Sequence, residues 1–355
     1  KKINTDNSYI SWSRGLKNKL IKNEKITWNS EELVISLYRP FTKKWLYFDR
    51  NIIEMPSTFK RYLGTDNQII LIPGVGGRKD FSVFITDNVT NFTALGFASK
   101  VQCFYRYNNE EIGELFKAYG SESNFIDETK RQFSLSDDEM FYYVYGLLHS
   151  KEYVHKFDSD LKKAVPRIPN VKNKDLFISV GQKLSYLHLN YENVAPYENV
   201  EVEFKDSEPD YRVEKMKFVS KDDKTVIRYN SSIIIKGIPE KAYDYIINGK
   251  TAIEWIMDQY QVRTDKKSGI LDDPNEYSDD EKYIYNLLLR IINVSVQTVD
   301  LVNSLPALEI EDENENMPEE LTRVNDITKV NTDNSSMEKF YPFAMEYADN
   351  HNVSE

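Results

Sequence analysis

Gly249-Lys250-Thr251 carries the ending of a phosphate-binding loop, and residue type and spacing suggest chemistry there first. Such a loop needs a glycine five positions before its Gly-Lys pair, so that backbone amides can curl around phosphate. That position is Asp244, whose carboxylate repels phosphate, and Gly249 reads instead as the end of a short helix opening at Pro239. Gly74-x-Gly76-Gly77 follows a strand-like run, as a dinucleotide fingerprint does, but Lys79 stands where the third glycine belongs. A glycine loop carrying Arg78, Lys79 and Asp80 has a different use. Arginine can read a guanine edge, aspartate can accept from cytosine N4, and both cations can reach phosphates.

Glu203-Phe204-Lys205 has the Glu-x-Lys spacing of a metal-dependent nuclease core, which also needs an upstream acid to share the metal. Tyr197 follows Pro196 where that acid would be sought, so the match reads as accidental. His149, His155, His188 and His351 lack metal-ligand spacing, and Cys103, the single cysteine, has no partner for a metal or a disulfide. There is no Gly-x-Ser-x-Gly elbow, and no Asn-Pro-Pro-aromatic run of the kind amino-methyltransferases use to grip an extruded base. The expectation is a chain with no catalytic and no metal-binding residues of its own, and no bound cofactor.

Binding is the better prospect, because charge is unevenly spread. The 355 residues carry a net charge of −11, yet residues 1–100 hold 16 basic and 9 acidic side chains while residues 301–355 hold 3 and 13. A polyanion responds to the local field and would meet the first part of the chain. Arg39, Lys43, Lys44, Arg50, Lys60 and Arg61 cluster there and are candidates for neutralising phosphates; lysines guarding a solvated strand edge are the plainer reading of each. Lys100, Gln102, Tyr105 and Arg106 mix amide, aromatic and basic groups suited to a groove, although Tyr105 fits a core equally well. Arg263, Lys266, Lys267 and Ser268 form a polar loop that can hold phosphate or simply make a turn ended by Gly269. Trp45, Phe141, Tyr142, Tyr145 and Trp255 are expected in the core.

The elements that must position these groups are mixed. β-Branched and aromatic runs predict strands at Glu32–Tyr38, Lys44–Phe48, Gln68–Ile72, Phe81–Thr86 and Gln102–Tyr107. Ser136 with Glu139 opens a helix bearing Met140, Phe141, Val144, Leu147 and Leu148 on one face, and helices follow at Lys151–Lys163 and Asp175–Leu187. An antiparallel meander is expected over residues 200–236, from Glu201–Lys205, Tyr211–Val219, Lys224–Tyr229 and Ser232–Lys236. Thr251 with Glu254 caps the helix of Trp255, and Asp279–Leu305 is mainly helical. The fold class is therefore α+β: a β-rich N-terminal lobe, a central helical region, a small antiparallel sheet, C-terminal helices and an acidic tail. The expected divisions are a connector at 1–30, a β-rich binding lobe at 31–133, an α/β lobe at 134–306, and an acidic linker and tail at 307–355. No stretch is long and apolar enough to span a membrane, no secretory signal opens the chain, and the lone cysteine fits a reducing cytoplasm. The start at Lys1 suggests a piece of a longer polypeptide.

Four strings taken in order carry a more specific signal. They are Tyr38-Arg39-Pro40-Phe41-Thr42-Lys43-Lys44-Trp45-Leu46-Tyr47-Phe48-Asp49, Phe141-Tyr142-Tyr143-Val144-Tyr145-Gly146-Leu147-Leu148-His149-Ser150, Leu187-His188-Leu189-Asn190-Tyr191-Glu192, and Glu254-Trp255-Ile256-Met257-Asp258-Gln259-Tyr260. Thr264-Asp265-Lys266-Lys267-Ser268-Gly269 and Asp273-Pro274-Asn275 continue the last. Over roughly residues 30–306 the chain resembles the C-terminal target-recognition (specificity) domain of Type ISP restriction-modification enzymes, those of the lactococcal type above all. The resemblance implies a single polypeptide with nuclease, ATP-driven translocase and adenine-N6 methyltransferase parts upstream, using S-adenosylmethionine, ATP and magnesium. It implies that this part grips an asymmetric site in double-stranded DNA and presents an adenine for flipping. Two other readings stay open: a protein-docking module using the aromatic tail around Tyr341 and Phe343, and a nuclease using Glu203 and Lys205.

Overall fold

The computed structural model describes residues 12–53, 67–76, 79–96, 100–112, 118–266 and 268–311. Lys60, Arg61, Arg78, Lys267 and the aromatic tail lie outside the described residues. After α1 (Arg14–Ile21), β1 (Leu33–Arg39) and β2 (Thr42–Tyr47) form an antiparallel hairpin in which Ile35 faces Trp45. β3 (Ile69–Pro73) and β4 (Phe84–Thr86) pair antiparallel, β5 (Val89–Thr90) runs parallel to β1, and β6 (Val101–Tyr105) closes the other side of β3. The second sheet thus has the order β4-β3-β6, and a separate hairpin follows from β7 (Tyr107–Ile112) and β8 (Ala118–Ser123). Burial of alternate residues on both faces makes β3 a near-continuous apolar run.

α2 (Asp127–Phe133) leads to α3 (Asp137–Leu148), where the expected capping box is present. The Ser136 hydroxyl accepts from the Glu139 amide, and the Glu139 carboxylate accepts from the Ser136 amide at 2.8 Å. The helix expected over Lys151–Lys163 is two shorter ones, α4 (Lys151–Lys156) and α5 (Asp158–Leu161), because Phe157 leaves helical geometry between them. After the Pro166–Pro169 bend, whose Arg167 and Pro169 carbonyls accept from the Tyr153 and Tyr143 hydroxyls, comes α6 (Lys174–Leu189). α3 and α6 touch backbone to backbone. A Cβ on Gly146 would stand 2.2 Å from the Phe177 carbonyl oxygen, and one on Gly181 would stand 1.9 Å from that of Tyr142.

β9 (Glu201–Phe204), β10 (Lys217–Phe218), β11 (Ile227–Arg228) and β12 (Ile233–Lys236) form an antiparallel sheet in the order β10-β11-β12-β9. The last three in sequence make a meander, and β9 joins its far edge instead of pairing with its successor. The strand expected over Tyr211–Val219 shrinks to two residues because Asn275 intercepts it: its side chain accepts from the Val213 amide and donates to the Val213 carbonyl. A 3-10 turn over Glu240–Asp244 replaces the helix expected after Pro239. Gly249 ends no helix. β13 (Ile246–Ile247) and β14 (Lys250–Thr251) are joined by Asn248-Gly249 with φ of 49° and 78°, the left-handed pair that a two-residue hairpin turn demands. The expected capping box of Thr251 and Glu254 opens α7 (Ala252–Gln259), β15 (Arg263–Thr264) pairs with β16 (Leu271–Asp272), and α8 (Tyr283–Asn303) closes the fold.

The architecture is mixed α+β, with a helical centre flanked by small sheets. β3 separates two cores. Ile69 and Leu71 face one, shared with Leu37, Ile253, Leu287 and the β9–β12 sheet; Ile70 and Ile72 face the other, shared with α3 and the first half of α6. Residues from before and after Ser134 contribute to both. Trp255, Phe141 and Tyr145 are core residues, but Trp45 is 67% exposed on β2, the edge strand of its sheet. Cys103 faces Leu71 in the sheet, and burial pushes its thiol up to about 11. Two histidines lie where the cores meet. His188 is held by the Tyr145 and Thr298 hydroxyls at 2.7 and 2.8 Å, and the Nδ1–H of His149 donates to the Tyr145 carbonyl at 2.8 Å. Burial holds both neutral, lowering His149 to about 4 and His188 well below its ordinary value.

Gly146→Ala or Gly181→Ala should cost about 3 kcal/mol or more, since a backbone contact has no side chain to yield; denaturant unfolding of each variant reads this directly. Acid provides a second check. Unfolded histidine takes up a proton near pH 6.5 while folded His149 does so only near 4, so stability should be full above about 6.5 and fall as pH drops towards 4. His149 alone contributes roughly 3 kcal/mol to that loss, and His149→Phe should flatten the slope of unfolding free energy against pH.

Candidate nucleic-acid interface

Three loops meet on one side of the molecule, and Asn248 holds them together. Its backbone N–H donates to the Ser82 hydroxyl at 3.0 Å, and its buried side-chain amide donates to the Leu95 carbonyl. The turn that contains it presses against the loop after β3: a Cβ on Gly249 would stand 3.0 Å from Cδ of Lys79. That loop is fastened again at Gly74, whose N–H donates to the Lys100 carbonyl at 2.6 Å, and at Gly76, whose N–H donates to the Lys162 carbonyl at 3.1 Å. Lys79 and Lys100 are thereby brought to the same region of the surface from strands that sequence alone leaves unconnected. Both are exposed, and among the described residues neither has an ion-pair partner. Asp80 is exposed beside Lys79. Lys100 lies 5.5 Å from the centre of the Phe92 ring.

The other candidates are held more tightly. Arg39 is 2% exposed, its guanidinium donating to the Tyr38 carbonyl at 2.6 Å, and burial lowers its pKa. Lys43 pairs with Glu192 and Lys44 with Asp272, each at 2.7 Å. Burial works against the charge on Lys44, but hydrogen bonds to Asp272 and Tyr277 outweigh it and raise its pKa. Arg106 is clamped on Asp138 between the rings of Tyr107 and Tyr142. Gln102 turns inward, its Oε1 buried without a hydrogen-bond partner among the described residues. Arg263 and Lys250 share Asp258, at 2.8 and 2.9 Å. Burial raises the Asp258 carboxyl, and the two cations overcome that to hold it below its usual range. Ser268 spends its hydroxyl on Asp265 at 2.9 Å, bracing the turn from which Lys266 projects exposed.

These pairs tie the β1–β2 hairpin to β16, and α7 to β14 and β15. The Asp258 pairs are exposed and contribute only about 0–1 kcal/mol each, whereas those of Lys43 and Lys44 are half-buried. Glu203 is engaged elsewhere, with Lys236 at 2.6 Å, and that bond lowers its pKa. Among the described residues no group of three His, Cys, Asp or Glu side chains is placed to hold a metal, and no helix is long and apolar enough to cross a membrane.

Residues 1–287 match the model of the Type ISP C-terminal specificity domain. This chain belongs to that family. Three solved structures share the specificity-domain fold seen here. One is a nuclease-deletion mutant of the Type ISP restriction-modification enzyme LlaGI in complex with a DNA substrate mimic: 44% identity, TM-score 0.77, over 87% of this chain and 24% of that one. A second is the ATP-dependent Type ISP enzyme LlaBIII bound to DNA, with 44% identity and a TM-score of 0.79 over 85% of this chain and 20% of that one. The third is a DrdV–DNA complex, with 26% identity and a TM-score of 0.74 over 87% of this chain and 31% of that one. This specificity domain therefore spans between a fifth and a third of the length of those proteins. None of the individually curated proteins matches it.

The sequence singles out Lys79 and Lys100 as candidates but not Asn248, the residue that assembles their loops. The signal available was the Asn-Gly pair, which favours a two-residue hairpin turn. Asn248→Ala removes a buried donor from the Leu95 carbonyl and places a Cβ-bearing residue without a local hydrogen bond at positive φ. It should cost about 1–3 kcal/mol in thermal or chemical unfolding, with Asn248→Gly recovering only the backbone part.

Proposed function

We propose that this specificity domain recognises double-stranded DNA in a sequence-dependent way, as the target-recognition part of a longer restriction-modification polypeptide. The observation that carries the reading is the three-loop cluster, which sets Lys79 and Lys100 exposed beside Asp80 on a fastened frame, within a family whose solved members LlaGI and LlaBIII are in complexes with DNA or its mimic. Phosphate contacts from Lys79 and Lys100 would fix the register, and groups around the glycine loop, Asp80 among them, would read base edges. Lys43, Lys44 and Arg263 would extend the backbone contacts along the duplex by trading their carboxylates for phosphates on binding. The domain itself needs no catalysis for this role. On this reading it positions a target adenine for N6-methylation by an upstream methyltransferase domain that uses S-adenosylmethionine. It also licenses translocation and cleavage by upstream parts that use ATP and magnesium.

The test is a titration of the chain against a pool of random duplexes at several salt concentrations, with sequencing of the bound fraction. The expected result is an enriched asymmetric motif and a steep fall of affinity with salt. Lys79→Ala and Lys100→Ala should each lower the slope of log affinity against log salt by about 1. Absence of binding at low salt by a folded chain would overturn the reading in favour of a protein-docking module.

A further inference from the structure

Beside Lys100 stands a side chain to which none of this assigns a role. Phe92 is 62% exposed, an unusual position for a ring that gains so much from burial. It is not on a floppy tip. Asn91 accepts from the backbone and hydroxyl of Thr93 at 2.9 Å each, its own N–H donates to the Leu37 carbonyl at 2.9 Å, and the Phe92 carbonyl accepts from the Val101 amide at 3.0 Å. The turn ends at Leu95, where Asn248 grips it. A rigid turn thus holds an apolar ring outward, with the Lys100 ammonium 5.5 Å from its centre and the Lys79 loop fastened to Lys100 by the Gly74 amide. The ring and the Lys100 ammonium have each other, and among the described residues neither Lys79 nor Lys100 has a carboxylate partner. A cation that neutralises phosphate next to a ring that can lie against a base or a deoxyribose is the pairing that nucleic acid rewards.

Resting on the DNA reading above, we infer that Phe92 is an apolar contact to the duplex, packing against bases or sugars while Lys100 and Lys79 hold the adjoining phosphates. Its loss differs in kind from that of a lysine. Removing an apolar contact lowers affinity at every salt concentration and leaves the salt slope alone, because no counterion release is lost.

The experiment uses the whole chain and the random duplex pool. Phe92→Ala should weaken binding by about tenfold or more with an unchanged salt slope, and Phe92→Trp should restore most of it. Both variants should keep the thermal midpoint of the parent, the ring being exposed. Photoreactive benzoylphenylalanine introduced at position 92 should link to bound DNA on irradiation. Parent-like affinity of Phe92→Ala, or no link from position 92 while DNA is bound, would overturn the inference and leave the DNA reading standing. Failure of the unaltered chain to bind duplex at low salt would remove the DNA reading, and this inference with it.

Discussion

Two helices can close until main chain meets main chain only if each offers a residue without a side chain at the crossing, and the rest of the fold is arranged around that contact. Gly146 of α3 and Gly181 of α6 provide it. With the helices this close, α6 can serve two cores at once: Phe177, Ile178 and Leu184 pack into one, while Leu187 and the following Tyr191 reach the other. The β4-β3-β6 sheet then fits between them with apolar residues on both faces. The same spacing brings Tyr145 of α3 against His188 of α6, and Thr298 of α8 closes on the second nitrogen of that ring. A wider crossing would break this chain of contacts at its first member.

From that scaffold the three-loop cluster follows at a distance. Strands β3 and β6 are fixed by the cores, and their connecting loops emerge together because the strands do. Asn248, from a hairpin more than a hundred residues further along, locks those loops in place. The cations around them fall into two groups. Lys43, Lys44, Arg106 and Arg263 are neutralised by carboxylates and serve the fold as they stand, whereas Lys79 and Lys100 are left outward.

Much of the scaffold is readable from local sequence. The capping boxes at Ser136 and Thr251, the apolar stripe of α3 and the α+β mixture follow from short-range spacing, which the physics of helix ends fixes within a few residues. What failed depended on partners far away in sequence. Nothing near Tyr211 announces that Asn275 will take the backbone of Val213, and nothing near Trp45 tells that β2 will be an edge strand with that ring outward. Gly249 differs from its expectation for another reason: Pro239 supports a helix start, and that local signal competes with the Asn-Gly pair that makes the hairpin. For the candidate site, the type of each charged residue was legible but its pairing was not. Arg39 and Lys79 look alike as letters, yet one is buried among its own backbone and the other faces solvent.

The grip of Asn248 on its neighbours is indifferent to most of their side chains. It takes one main-chain carbonyl and one serine hydroxyl, so the exposed residues beside those anchor points can change without loosening the grip, while Phe84, Ile85 and Ala94 between them stay in the cores. Phe92 sits between those two anchor points, and Lys79 and Asp80 between the Gly76 amide bond to Lys162 and Ser82. A lineage bearing this frame can change what it displays by single substitutions at exposed positions while the helix crossing and both cores stay as they are. What the surface displays and what the cores hold are thereby uncoupled in one chain.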